Sequence, residues 1–277
     1  MYPTRAPCFR GTFLPYHGIL VAQLFIFHIS LFTCSTVGYI TDNIAKANFN
    51  MIGINFTSVD GKGFQLKDIT GTGIHGAERT ADADQIRIWD PATGTYEMWY
   101  YYVDDSHEYD GWYDYLTESK LFEEVHPEGL ANGVAAWYLS ADGSQGGTAS
   151  FAGAVDSAKS VTLTLTKGEF NMIANPFPVG FQLNNPEQVT WENAKGAERT
   201  ADADQVRIWD PATGTYEMWY LYVDDSHEYD GWYDYLTESK LFEDVHPNGL
   251  AAGVPCWYLS AAAAGGTFDV TFKTPMK

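Results

Sequence analysis

The densest group of side chains able to do chemistry is Asp104-Asp105-Ser106-His107-Glu108-Tyr109-Asp110-Gly111, with Asp114 just beyond it. The group recurs at 224–231, with Asp234 following. Carboxylates at alternate positions beside a glycine are how oxygen-rich Ca²⁺ loops are built. On that chemistry the candidate metal ligands are Asp104, Ser106, Glu108, Asp110 and Asp114. Their copies are Asp224, Ser226, Glu228, Asp230 and Asp234. Ca²⁺ is then the one cofactor to expect. The spacing is not that of an EF-hand, and no glutamate stands at the required twelfth position. The competing reading is a solvated hairpin loop without a cofactor, in which Asp and Gly serve turn geometry.

Aromatic residues crowd the same region: Trp99, Tyr101, Trp112, Tyr113, Tyr115, Trp137 and Tyr138. Rings beside carboxylates suit sugars, because a ring stacks on the C–H face while Asp and Glu accept from hydroxyls. Trp112 and Tyr113, with their copies Trp232 and Tyr233, are the candidate carbohydrate-binding residues. Against this, aromatics on strands mostly fill cores. His107 and His126 recur at 227 and 246 but have no second His or Cys at ligand spacing, so they read as structural or solvent-facing. Glu97 with Asp114 is a carboxylate pair of the sort glycoside hydrolysis uses. In a chain this acidic, some pair always looks suitable. No nucleophile elbow, zinc-binding His pair or Gly-rich phosphate loop appears. Polar residues retained in both copies fit repeated binding or assembly better than one active site.

The elements that must position these groups follow from an internal repeat. Residues 76–140 and 196–260 align without gaps, with 58 of 65 positions identical. Weaker similarity extends outward: Phe49-Asn50-Met51-Ile52 matches Phe170-Asn171-Met172-Ile173. The organisation expected is a leader at 1–35, a first β unit at 36–156 and a second at 157–277. Each unit is long enough for its own core.

Local patterning says all-β. Val161-Thr162-Leu163-Thr164-Leu165-Thr166 alternates with period two, as a half-buried strand does. Gln85-Ile86-Arg87-Ile88-Trp89 is followed by Asp90-Pro91-Ala92-Thr93-Gly94, where Pro and Gly suit a tight turn. The chain returns as Thr95 through Val103, aromatic on both faces like a central strand. Further strands are expected at 112–116, 133–139 and 148–155, and the one helical stretch at 117–125. Strands at this spacing predict two tandem antiparallel β-sandwich units, or partly open barrels.

Composition bounds the partners. The formal net charge is −20, which repels nucleic acid and anionic lipid headgroups. Two of the three cysteines, Cys8 and Cys34, precede the repeats, and Cys256 stands where the other copy has Ala136, so no disulfide framework is expected. Arg5 and Arg10 precede an apolar run at 19–32 that is short for a membrane span and reads as an export signal. Membrane contact is expected only through this leader if it stays uncleaved. Asn55-Phe56-Thr57 is a lone glycosylation sequon.

The second unit reads Phe170-Asn171-Met172-Ile173-Ala174-Asn175-Pro176-Phe177-Pro178, then Asp204-Gln205-Val206-Arg207-Ile208-Trp209-Asp210, then Gly253-Val254-Pro255-Cys256-Trp257-Tyr258. This order resembles the N-P-x-P, D-Q-I-x-x-W-D, G-x-x-F/W-Y β-modules of secreted and surface proteins from Bacteroidetes- and Verrucomicrobia-type bacteria. The first unit departs from the pattern: Gly53-Ile54-Asn55-Phe56 stands where Ala174-Asn175-Pro176-Phe177 does. No anchor follows 275–277, so sorting by a C-terminal tail is not expected and a fragment is a reading to keep. The resemblance implies an extracellular, non-catalytic structural or adhesive role and carries no catalytic residues. Polysaccharide or other surface proteins are the partners to expect. A carbohydrate-binding module pair is the alternative, and a glycan-active hydrolase a second one.

Overall fold

The computed structural model describes residues 37–141, 144, 146–156 and 158–274. The expected leader lies outside them. The chain divides between Cys34 and Ser35, and both repeats belong to one compact unit, 35–277.

The first repeat contains β1 (Val37–Ile44), β2 (Phe49–Gly53), β3 (Ile69–Thr70), β4 (Gln85–Asp90), β5 (Thr95–Tyr102), β6 (Gly111–Asp114), α1 (Phe122–Val125), β7 (Ala135–Leu139) and β8 (Gly147–Ala154). The second contains β9 (Ser160–Thr166), β10 (Phe170–Ala174), β11 (Val189–Trp191), β12 (Gln205–Asp210), β13 (Thr215–Tyr222), β14 (Gly231–Asp234), α2 (Phe242–Val245), β15 (Pro255–Leu259) and β16 (Thr267–Lys273). Each repeat makes one three-stranded and one five-stranded antiparallel sheet. The orders are β1-β8-β3 with β2-β7-β4-β5-β6, and β11-β16-β9 with β10-β15-β12-β13-β14. Among the described residues no sheet closes on itself into a barrel, and each unit sets its three-stranded sheet against its five-stranded one as a sandwich does. The helical stretch expected at 117–125 shrinks to the single turn of α1.

Each sandwich has its own core. In the first, Ile44, Ala149 and Phe151 of the small sheet pack with Ile52, Ile86, Trp99, Trp112 and Tyr138 of the large one. In the second, Leu165, Val270 and Phe272 meet Ile173, Val206, Trp219, Trp232 and Tyr258. Strand alternation sends neighbouring residues to opposite faces, so the large sheets also carry apolar outer faces. These outer faces meet each other. Ala135 and Trp137 pack with Met172, Ala174 and Trp257, flanked by Met51, Trp89, Tyr96, Trp209 and Tyr216. β5 is accordingly aromatic on both sides: one face fills the sandwich, while on the other Tyr96 meets the partner repeat and Tyr100 and Tyr102 pack on Tyr113 of their own.

The junction also involves backbone. The Ala174 N–H donates to Gly133 O at 2.8 Å, and Val134 bridges Ile173. The indole N–H of Trp89 donates to Phe170 O at 2.7 Å, crossing from one repeat to the other.

A wholly buried aspartate locks each sandwich. Asp84 accepts from the Tyr138 hydroxyl at 2.6 Å and from the N–H groups of His75 and Ala141 at 2.8 Å. Asp204 accepts from the Tyr258 hydroxyl at 2.6 Å, and from Lys195 N–H and Ala261 N–H at 2.8 and 2.6 Å. Burial, reinforced by the neighbouring carboxylate, pushes both tyrosine hydroxyls far above their ordinary pKa. A buried carboxylate persists only where such donors compensate its lost hydration.

Candidate functional site

The two expected tryptophans of a sugar surface are interior. Trp112 is 2% and Trp232 1% exposed, each inside its own sandwich, so neither can offer a ring face to a ligand. The reason is register: in the antiparallel pairing Trp112 lies opposite Tyr101 and Trp232 opposite Leu221, on the inward face of the edge strand. Tyr113 and Tyr233 lie on the opposite face and are half-buried. Tyr113 packs against Tyr100 and Tyr102 at centroid distances of 6.4 and 5.7 Å, and Tyr233 lies 5.6 Å from Tyr222.

The acidic loops are organised by their own turns. Asp104 Oδ1 accepts from Ser106 N–H at 2.8 Å, its hydroxyl at 2.7 Å and His107 N–H at 2.9 Å. These bonds, the Ser106 hydroxyl first, hold the Asp104 carboxyl below the usual carboxylate range. Asp110 Oδ2 meets His107 Nδ1 at 2.9 Å, which raises the imidazole pKa. Glu108 donates its N–H to the Ser106 hydroxyl, and Asp114 accepts from the N–H and hydroxyl of Thr117. The copy repeats this network: Asp224 with Ser226 and His227, Glu228 N–H on Ser226, Asp230 with His227, Asp234 with Thr237. His107 and His227 adopt left-handed backbone, with φ of 55° and 54°, to make the turn. Among the described residues, no group of three or more His, Cys, Asp or Glu is placed to hold a metal ion.

The Glu97 and Asp114 carboxylates are each tied to a local partner. Glu97 Oε1 lies 2.7 Å from His126 Nε2, and His126 stacks on Phe122 at 4.7 Å. Glu217 and His246 repeat the pair at 2.6 Å. Cys256 is a free, buried thiol, and burial pushes its pKa up to about 12, so it is chemically quiet. Asn55 is 1% exposed, which hides the sequon's side chain in the folded protein.

The arrangement that sequence reasoning missed sits at the junction of the repeats. Arg87, on the outer face of β4, lies 5.2 Å over the Phe49 ring. Its Nε and Nη2 both donate to Gln85 Oε1, at 3.2 and 2.8 Å, and Gln85 is itself fixed by Thr80 O. Phe49 stands edge-on to Trp137, and Trp137 edge-on to Trp209 of the other repeat, at 5.8 and 5.6 Å. The second repeat mirrors this. Arg207 lies 5.2 Å over Phe170, Phe170 is edge-on to Trp257, and Trp257 is edge-on to Trp89. Two clefts result, of about 350 and 300 Å³, that share Tyr96, Tyr216 and Trp257. Sharing those three rings, the two clefts make up an aromatic trough with two arginines, Arg87 lining one cleft and Arg207 the other. Such volumes fall in the range of small-ligand sites. The signal in the sequence is the single odd cation in Q-x-R-x-W, present in both copies.

The mirror is imperfect. Trp89 Nε1 reaches Phe170 O, whereas the buried Nε1 of Trp209 has no acceptor among the described residues. Searches against family models, curated proteins and solved structures found nothing that matches this chain.

Proposed function

We propose that this chain is a non-catalytic secreted or cell-surface protein, with a structural or adhesive role, built from two repeated β-sandwiches. The carrying observation is the aromatic layer shared by the repeats, in which Trp137, Trp257 and their neighbours pack outer face on outer face. Such a layer holds two copies of one surface in fixed relative geometry, which suits attachment and scaffolding. The acidic residues that recur in both copies are spent on turns and on the two His–Glu pairs, which favours this role over glycan hydrolysis. A charge of −20 disfavours nucleic acid and anionic lipid as partners and leaves polysaccharide or other surface proteins. The apolar run at 19–32 supplies the export route.

Fractionation of producing cells, with protease shaving of intact cells, tests the reading. Release of the protein to the medium, or its removal by external protease, is the expected result. Recovery from the cytosol alone overturns it.

The runner-up, carbohydrate binding, is favoured by one observation: the open trough at the junction. On this reading the site lies on Arg87, Phe49, Arg207 and Phe170 rather than on Trp112 and Trp232.

A further inference from the structure

We infer that the trough between the repeats binds an acidic glycan, with sugar rings against its aromatic walls and an anionic substituent at each arginine. The inference rests on the surface role proposed above for its biological sense, but the binding itself can be tested on the purified chain.

Charge is the first argument. The described residues hold four arginines. Arg79 and Arg199 pair with Asp82 and Asp202 at 3.4 and 3.5 Å. Arg87 and Arg207 meet no carboxylate among the described residues, in a chain that carries 36 acidic side chains. Both arginines without a carboxylate partner stand at the junction of the repeats, where each leaves a guanidinium for an anion to meet.

Geometry is the second. Each guanidinium is oriented by a buried glutamine: Gln85 Oε1 takes Nε and Nη2 of Arg87, and Gln205 Oε1 takes those of Arg207 at 3.2 and 2.7 Å. Among the described residues, Nη1 has no hydrogen-bond partner in either case. A preoriented fork loses less entropy on binding a carboxylate or sulfate. The stacked Phe beneath it keeps the charge on the cleft side.

Shape is the third. The rings left half-buried along the trough are Trp89, Tyr96, Trp209 and Tyr216, the kind of surface a pyranose ring's C–H face stacks on, with the buried Trp137 and Trp257 behind them. Two arginines joined through shared Tyr96 and Tyr216 suit a chain with repeating anionic groups better than one small anion. The two-copy design then has a use at the molecular level: neither repeat alone builds a cleft, because each takes its far wall from the other.

The experiment is calorimetric titration of the full chain with three probes: oligogalacturonate, a sulfated oligosaccharide of similar length, and a neutral oligogalactose. Binding of one or both acidic probes, at least about tenfold tighter than the neutral one, is expected. Which acidic probe wins tells carboxylate from sulfate. The Arg87→Gln/Arg207→Gln double variant should weaken that binding by about tenfold or more, and Arg79→Gln should leave it unchanged. A thermal melt of each variant checks that the fold survives, and Arg87→Lys, which keeps charge without the fork, should fall between. No binding of either acidic probe by the unmodified chain overturns the inference. So does acidic-probe binding that is indifferent to both arginines, or neutral-probe binding of equal strength. Failure of these titrations leaves cell-surface location to be decided by fractionation, so the two readings fall separately.

Discussion

Gly53 faces Ala174 across the junction of the two repeats, so closely that a Cβ added to Gly53 would lie 2.7 Å from the Ala174 Cβ and 2.8 Å from Gly253 O. These positions are equivalent in the two copies, and their divergence is what allows the outer faces to close. Two alanines would collide there. The divergence of the first copy from the second along Gly53-Ile54-Asn55 thus begins at a residue whose size is set by the partner repeat.

Gly53→Ala is expected to destabilise the protein by about 1–3 kcal/mol, the cost of overpacking a close interface. Adding Ala174→Gly should recover part of this, with the Gly253 carbonyl clash remaining. Urea titrations of the two variants measure it. A neutral Gly53→Ala would mean that the repeats separate readily.

Asp84→Ala would strand the Tyr138 hydroxyl and two backbone N–H groups in the interior. A loss of about 3–5 kcal/mol is expected, against about 1–2 kcal/mol for Tyr138→Phe, which leaves the two N–H bonds in place. Equal effects of the two changes would contradict the hydrogen-bond assignment.

Asp42 lines a cleft of about 200 Å³ with Asn50, Trp209 and Gly253, and burial pushes its carboxyl up to about 6. The folded form holds a proton that the unfolded form has released above 3.8, so this group's stability contribution is full at low pH. It is lost as pH rises through about 6. Asp42→Asn should therefore stabilise the protein by up to about 3 kcal/mol at neutral pH and have little effect near pH 4. Melts across that range should show the difference between variants growing with pH.

Trp89→Phe removes the N–H that reaches Phe170 O, while Trp209→Phe removes one that meets no acceptor among the described residues. The first change should cost about 1 kcal/mol more than the second, despite near-identical sequence surroundings. Equal costs would show that the two repeats are more symmetric than the structure has them.

Melting in EDTA and then in millimolar Ca²⁺ probes the acidic loops. With Asp104 and Asp224 engaged by turn donors, the expected shift is close to zero. A rise of several degrees would mean that the loops rearrange around an ion, since a ligand binding only the folded form stabilises it.

The repeat, the all-β class and most strand positions were legible because they rest on short-range signals. Period-two alternation at 161–166 marks β9, and Asp90 to Gly94 marks the β4–β5 turn, as the observed elements have them. The small divergences between the copies were visible too, but not their meaning. Tyr101 lies 5.3 Å from Trp112, and where the second copy has Leu221 in its place, Trp191 comes within 5.1 Å of Trp232 instead. That exchange links positions far apart in the chain, and no local pattern announces it.

Alternation along a strand tells that two faces exist, but not which layer covers each. Trp112 and Tyr113 are adjacent and equally aromatic. Only the closure of the small sheet over the large one makes Trp112 core and leaves Tyr113 half-buried. In the same way Arg87 reads as an ordinary strand cation until the second repeat brings Trp209 and Tyr216 against its face. By itself the sequence determined two copies of one all-β unit and the acidic loops that recur in both, because those follow from neighbours in the chain. The packing of the copies face to face, the buried Asp84–Tyr138 bond and the trough with its two arginines were decided by tertiary structure, because each depends on the burial of one segment by another distant in sequence.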